Sequence, residues 1–286
     1  MEITRVGVVG LGTMGAGIAQ VCLQAGLEVV GREVSPELGE RARGRIDHYL
    51  SRGVEKGRLT QEEKDEALGR LTLVTELPDL APFQVVIEAA FEDLDVKREL
   101  FAELERIAAP DAILATNTSA LSVSEIAAAT ATPERVVGIH FFNPAPVLPL
   151  VEVIRTVHTS DEVFDTAYAF ALRLGKEPVA CNDTPGFIVN RILIPLLNDC
   201  VRVLDEARVA PDDVDRALRF GANWPIGPCA LIDLIGVDVH VHASEALHAA
   251  LGEERMAPPE RLRQMQQAGH LGRKSGRGFY EYGEPS

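Results

Sequence analysis

The sequence predicts an α/β fold: a doubly wound, mostly parallel sheet followed by a smaller all-helical domain. Three observations carry that expectation. Short apolar runs alternate with stretches of helical periodicity from residue 5 to about 183. The first run leads straight into a glycine-rich turn, GLGTMG at 10–15. Beyond Asp183-Thr-Pro-Gly the apolar runs stop and helical periodicity alone continues.

The first strand is read at Arg5-Val-Gly-Val-Val-Gly, apolar on both faces as a buried parallel strand requires. Gly10, Gly12 and Gly15 fit G-x-G-x-x-G, with Thr13 and Met14 inside it, and Ala16, Ile18 and Ala19 give the next helix a small apolar face. In that pattern the first glycine permits the turn, the second lets a pyrophosphate approach the backbone, and the third lets helix and strand meet. The phosphates then lie on the helix N-terminus, where N–H groups and the helix dipole attract negative charge. A second strand over 27–30 ends near Glu33, close to the spacing of roughly 20 residues at which an acid binds the adenosine ribose. A carboxylate there repels a 2′-phosphate and favours NAD, although Arg32 beside it leaves NADP open.

Residues 36–54 and 60–68 read as two helices, the second opened by the capping box Thr60-Gln-Glu-Glu63. Together they form a helical arm at about 35–70, longer than the usual connection in such units. Arg41, Arg43, Arg45, Arg52, Lys56 and Arg58 make it the most basic stretch of an acidic chain. A solvated face and a surface for a phosphorylated ligand both account for that charge.

Further strands are expected at 71–74, 84–90, 112–116, 135–140, 150–154 and 178–181, and helices at 94–108, 121–128 and 161–174. Ligands bind such sheets beyond the carboxyl ends of the strands. That rule singles out Asn117-Thr-Ser119, His140-Phe-Phe-Asn143 and Leu150-Val-Glu152-Val-Ile. His140 follows a sheet strand, unlike His48, His158, His240, His242, His248 and His270, and it precedes Glu152 by twelve positions. A carboxylate in an apolar strand is costly unless paired, and an imidazole takes and returns a proton near neutrality. Ser119 reads either as the N-cap of the following helix or as a hydrogen-bond donor to a substrate oxygen.

In the helical region, Asp183 or Thr184 is the expected cap and Pro185 the first turn of a helix over 187–205, which Pro195 is expected to kink. Helices follow at 211–219, 230–235, 238–251 and 259–268, dividing the chain into domains 1–183 and 184–286. The long apolar helix exceeds what the small second domain can cover, which predicts a homodimer.

A chain of 286 residues, 46% of them hydrophobic, builds its core without a metal or disulfide staple. Cys22, Cys181, Cys200 and Cys229 lack metal-ligand spacing, so no metal is expected. A net charge of −15 argues against nucleic-acid binding. No signal-peptide pattern and no membrane-length apolar stretch is found, and a soluble, cytoplasmic protein without membrane contact is expected.

Eight motifs then occur in order over nearly the whole chain: GLGTMGAGIA at 10–19, NTSAL at 117–121, GIHFFNPAP at 138–146, LVEVI at 150–154, DTPGFIVNR at 183–191, PIGP at 225–228, DLIGVD at 233–238 and KSGRGFY at 274–280. Together they resemble the L-3-hydroxyacyl-CoA dehydrogenases, most closely the short bacterial 3-hydroxybutyryl-CoA forms. The resemblance implies a Rossmann-like NAD-binding domain, a helical substrate and dimerisation domain, and interconversion of a short (3S)-3-hydroxyacyl-CoA with its 3-oxoacyl-CoA, a step of fatty-acid β-oxidation. It implies His140 as general base, Glu152 as its orienting carboxylate, and Ser119 and Asn190 as holders of the substrate's 3-oxygen. Glu92, Lys97, Asn143 and Lys274 fall where the family contacts the nicotinamide half of the cofactor, and Arg52 and Lys56 where it contacts coenzyme A. Glu33 stands where aspartate is more usual, and Gly31 and Arg32 interrupt the end of the second strand. The 3-hydroxyisobutyrate and 6-phosphogluconate dehydrogenases share only the glycine opening. A nicotinamide-binding protein without catalysis would have no need of His140, Glu152, Ser119 and Asn190 together.

Overall fold

The computed structural model describes residues 3–283 and divides into two compact units, Met1–Thr184 and Pro185–Ser286. In the first unit the chain runs β1 (Arg5–Val9), α1 (Thr13–Gln24), β2 (Glu28–Arg32), α2 (Pro36–Glu55), α3 (Gln61–Gly69), β3 (Leu71–Val74), β4 (Val85–Glu88) and α4 (Leu94–Ile107). It continues through β5 (Ile113–Thr116), α5 (Val123–Ala127), β6 (Val136–Phe141), β7 (Leu150–Arg155), α6 (Asp161–Arg173) and β8 (Glu177–Asn182).

The eight strands form one sheet in the order β3-β2-β1-β4-β5-β6-β7-β8, the doubly wound arrangement read from the alternation. The order reverses between β1 and β4, so the carboxyl ends of these two strands open the crevice where such sheets take ligands. Neighbours are parallel throughout except β6 and β7, which are antiparallel. Every residue of β4, β5 and β6 is buried, whereas the edge strands β3 and β8 are partly exposed. Central parallel strands are covered on both faces, and this is why they read as continuous apolar runs.

Local chemistry explains the helical arm. The Ser35 hydroxyl accepts a hydrogen bond from Leu38 N, with Pro36 in the first turn of α2. Ala42, Ile46 and Leu50 follow at four-residue spacing and are fully buried, and each large aliphatic side chain so covered contributes about 1.5–3 kcal/mol. The Thr60/Glu63 capping box opens α3 as its sequence indicates. Gly31 and Arg32 do not interrupt β2; Gly31 pairs in register with Val8 and Leu73. A Cβ at Gly31 would lie 2.6 Å from Leu11 Cδ1, so glycine is what lets β2 pass beneath the glycine turn.

The second unit comprises α7 (Val189–Glu206), α8 (Pro211–Gly221), α9 (Pro228–Ile235), α10 (Val237–Leu251) and α11 (Glu260–Gln267). Leu197, Val201 and Leu204 pack with Cys229, Ile232, Val241 and Leu262 as its core. α7 runs on through Pro195. It begins two residues later than expected because Gly186 (φ 76) and Phe187 (φ 49) form a left-handed turn before it. Asp183 does not cap α7 either. Its carboxylate accepts from Ser122 Oγ, Val123 N and Ser124 N at the start of α5, and these three donors take up its acceptor capacity. Among the described residues no helix is long and apolar enough to cross a membrane, and no group of three or more His, Cys, Asp or Glu is arranged to hold a metal ion.

His240 is buried in this unit. Asn198 Nδ2 donates to Met256 O at 3.1 Å, so Asn198 Oδ1 faces the ring and accepts from His240 Nε2 at 2.9 Å. His240 Nδ1 has no hydrogen-bond partner among the described residues, and burial pushes the imidazole down to about 4 from an ordinary 6.5. The unfolded chain therefore binds this proton below about pH 6.5 while the folded chain does not until about pH 4. The stability that this neutral imidazole carries is complete above pH 6.5 and is lost as the pH falls towards 4, by about 3 kcal/mol. In His240→Gln, Tm measured across that window is expected to vary less with pH than in the wild type; an identical pH dependence would remove His240 as the source.

Candidate active site

The glycine turn after β1 is fixed by close approach. Gly10 adopts φ 82, where a Cβ would also crowd the backbone of Ala89 and Ala90, and a Cβ on Gly15 would lie 1.7 Å from the carbonyl oxygen of Gly10, so α1 packs against the turn only because Gly15 lacks a side chain. A Cβ on Gly12 meets nothing within 4 Å, which leaves the approach to the start of α1 open. That helix has no side-chain cap and no acid in its first turn, the condition under which its N-terminus suits a phosphate. Glu33 reaches the same turn, accepting from Leu11 N at 2.7 Å and Val34 N at 3.1 Å. Arg32 Nε donates to Thr75 O at 2.9 Å, which commits that guanidinium to the end of β3. Thr13 and Met14 lie in the first turn of α1, exposed and half-buried respectively. The residues present thus fit a dinucleotide: an open cradle, an uncapped helix start and an acid beside it.

The antiparallel pairing of β6 and β7 brings His140 and Glu152 together. The two are register partners, and directly opposed residues of an antiparallel pair project from the same face. His140 Nδ1 and Glu152 Oε2 are 2.8 Å apart, with both side chains buried. An ionised carboxylate only accepts, so Nδ1 carries the proton and Nε2 is the basic nitrogen of the ring. The loop at 142–149 makes the reversal possible and includes a cis peptide at Asn143–Pro144.

A second group of charges lies at the carboxyl ends of β4 and β5. Glu88 Oε1 accepts from Lys97 Nζ at 2.5 Å and Ala90 N at 2.6 Å, and Oε2 accepts from Thr116 Oγ1 at 2.7 Å. Lys97 also lies 3.4 Å from Glu92 Oε2. Glu92 Oε1 accepts from Thr118 Oγ1, Ser119 N, Ser119 Oγ and Ala120 N. Burial pushes the Glu92 carboxyl up, but Lys97 and the bonds from Thr118 and Ser119 outweigh it and hold the group below the ordinary carboxylate range. Asn117 Oδ1 accepts from Phe141 N at 2.9 Å, tying this turn to the strand end that bears His140. The N-cap of α5 is Ser122, so Ser119 is not the helix cap; its hydroxyl turns to Glu92 instead.

A cleft of about 430 Å³ lies between α1, α2 and the loop at 143–147. Arg45, Tyr49 and Arg52 line it from α2 and Lys56 from just past its end, joined by Arg58, Thr13 and Asn143. The described lining carries four cations and no carboxylate, which in a chain of net charge −15 makes a local anion site. Lys176 Nζ donates to Ala145 O at 2.5 Å and Leu148 O at 2.9 Å, pinning the loop that forms one wall, and burial pushes its ammonium below the usual lysine range.

The first unit therefore joins His140 to Glu152, Ser119 to Glu92 and Lys97, Glu33 to the glycine turn, and Asn143 to the Arg52 and Lys56 cleft. Asn190, on the first turn of α7, and Lys274 belong to the second unit. Lys274 Nζ is 2.6 Å from Asp238 Oδ1. Sequence reading passed over Glu88, although the signal was present: like Glu152, it is a carboxylate in an otherwise apolar strand. Thr118 and Lys176 gave no such signal, because each is defined only by the distant group it meets.

A doubly wound sheet with a glycine turn at its switch point and a histidine–carboxylate pair at nearby strand ends defines a Rossmann-type dehydrogenase unit. Residues 5–184 match the NAD binding domain of 3-hydroxyacyl-CoA dehydrogenase, and residues 186–282 match its C-terminal domain. The chain belongs to the 3-hydroxyacyl-CoA dehydrogenase family. It is 46% identical over 282 residues to a 3-hydroxybutyryl-CoA dehydrogenase of Mycobacterium tuberculosis, covering 98% of this chain and 99% of that protein. The crystal structure of M. tuberculosis FadB2 matches with a TM-score of 0.96 at 46% identity, over 99% of this chain and 100% of that one. An (S)-3-hydroxybutyryl-CoA dehydrogenase from Ralstonia eutropha matches with a TM-score of 0.95 at 40% identity, over 99% and 100%.

Proposed function

We propose that this protein interconverts a short-chain (3S)-3-hydroxyacyl-CoA, 3-hydroxybutyryl-CoA in the first instance, and its 3-oxoacyl-CoA, with NAD as cofactor. The observation that carries this reading is the buried pairing of His140 Nδ1 with Glu152 at 2.8 Å, which prepares Nε2 to take a proton. The names of the relatives, 3-hydroxybutyryl-CoA dehydrogenases aligned along the whole chain, support the substrate.

Oxidising a secondary alcohol removes a hydroxyl proton and a carbon-bound hydride. A bound nicotinamide dinucleotide supplies the hydride acceptor, or the donor in the reverse direction. His140 Nε2 takes the hydroxyl proton in oxidation and returns it in reduction, a contribution of roughly 10² to 10⁴ in rate. Glu152 holds the ring tautomer and stabilises the imidazolium that forms. Ser119 and Asn190 hold the 3-oxygen, the Ser119 hydroxyl turning its one proton from Glu92 to that oxygen when substrate binds. Glu33 accepts from the adenosine ribose and its charge disfavours a 2′-phosphate, which supports NAD over NADP. Glu92, Asn143 and Lys274 serve the nicotinamide half, with Lys97, 1% exposed, acting there through Glu92. Arg52 and Lys56 attract the phosphates of coenzyme A into the basic cleft. Ile192, Leu234 and Val239, exposed apolar residues of the second unit, support a homodimer.

His140→Gln is expected to lower turnover of acetoacetyl-CoA by about a hundredfold or more while NADH binding, followed by fluorescence, persists; unchanged turnover would remove the base. Glu33→Ala should weaken NADH binding about tenfold, as the loss of a charge-assisted hydrogen bond implies, and NADPH binding less; the reverse order in the same titration would refute the ribose assignment. Lys56→Glu should raise the KM for CoA esters about tenfold at unchanged kcat, whereas an unchanged KM would leave the arm as ordinary surface.

A further inference from the structure

Glu88 is 0% exposed and is not among the residues that the proposed reaction uses, yet it carries three hydrogen bonds at the end of a central strand. Two carboxylates, Glu88 and Glu92, share the single ammonium of Lys97. The sharing is unequal: Lys97 Nζ is 2.5 Å from Glu88 and 3.4 Å from Glu92. Thr116 Oγ1 and Ala90 N fix Glu88 from two further directions, so the lysine is held against a rigid anchor. Glu92 is the softer member, with its side chain 36% exposed. Because the lysine is drawn off to Glu88, Glu92 Oε1 stays on the turn at 118–120, where it accepts from the backbone and hydroxyl of Ser119. Without the negative charge of Glu88, Lys97 would have only Glu92 as a carboxylate partner within this cluster. Direct pairing of a buried ammonium with the nearest carboxylate would then pull Glu92 away from the turn.

We propose that Glu88 is a positioning residue for the reaction: by anchoring Lys97 it sets the place of Glu92, and through the bond from Ser119 N to Glu92 it sets the place of Ser119, whose hydroxyl turns its one proton from Glu92 to the substrate when substrate binds. The inference rests on the reading of Ser119 as a donor to the substrate's 3-oxygen. Glu88 touches neither substrate nor cofactor. Its effect falls on kcat because the group it aims acts on the reacting oxygen, and misplacement of such a group by about 1 Å costs on the order of a hundredfold.

The test is a double-mutant cycle on the full chain with acetoacetyl-CoA and NADH, using Glu88→Gln, Ser119→Ala and the pair. Glu88→Gln keeps the shape and an acceptor oxygen but removes the charge. Expected is a fall in kcat of about ten- to a hundredfold, with the KM for acetoacetyl-CoA and the fluorescence-measured NADH affinity within about threefold of the wild type. In the Ser119→Ala background the same substitution should cost less than about threefold, because the group it positions is already gone. Glu88→Asp, which keeps the charge on a shorter arm, should recover part of kcat. Wild-type kcat in Glu88→Gln would overturn the proposal, as would losses that add fully in the pair. Failure of both Glu88 variants to fold would also overturn it, by making the ion pair a requirement of the core alone. A wild-type protein inert towards every 3-oxoacyl-CoA would instead overturn the functional reading and this inference with it, whereas an active wild type with an additive cycle sinks the inference alone.

Discussion

A carboxylate cannot be buried within the sheet without a partner, and the first unit meets that constraint twice. Glu152, 1% exposed, faces His140 across an antiparallel pair, and Glu88, 0% exposed, faces Lys97 at the switch point of the sheet. Desolvating each charge costs several kcal/mol, which a buried pair offsets only with good geometry and further hydrogen bonds. Such pairs are poor devices for stability. Apolar residues would fill the same space at less cost, so Glu88 and the Glu152 partner His140, both at strand carboxyl ends, fit chemistry better than packing.

The sheet turns these isolated pairs into one site. Parallel strands place β1, β4 and β5 with their carboxyl ends on the same edge, which brings the glycine turn, Glu88 and the turn at 117–120 side by side. β6 then runs parallel to β5 and delivers His140 to that edge, where Asn117 fastens its successor Phe141. β7 runs the other way, and in that register Glu152 opposes His140. The one antiparallel neighbour in the sheet is therefore the feature that creates the dyad.

The helical arm shows charge and packing separated on the same helix. Ala42, Ile46 and Leu50 are buried in the core of the first unit, while Arg45 and Arg52, with Lys56 just past the helix end, line the cleft beside α1. Helical periodicity makes this division possible, since positions a turn apart share a face. The loop at 143–147 closes the other side and is held by Lys176, whose ammonium has carbonyl oxygens as its hydrogen-bond acceptors there. The same loop makes the reversal between β6 and β7, so the wall of the cleft and the geometry of the dyad share one segment.

What the chain determined by itself is what depends on near neighbours. Strand and helix alternation, the glycine turn, the Thr60 capping box and the buried stripe of α2 all follow from side-chain spacing within one element, because burial and capping act over a few residues. The carboxylate of Glu152 in an apolar strand was enough to ask for a partner, and His140 was near enough in sequence to be suggested. Tertiary structure alone decided the rest. Whether Asp183 caps the following helix or the start of α5, some 60 residues back, turns on which free N–H groups lie within reach once the sheet has formed. Likewise Ser119 found Glu92 rather than a helix end, and Glu88 found Lys97 and Thr116, because hydrogen-bond partners at such separations are set by strand order and register, which no local pattern encodes.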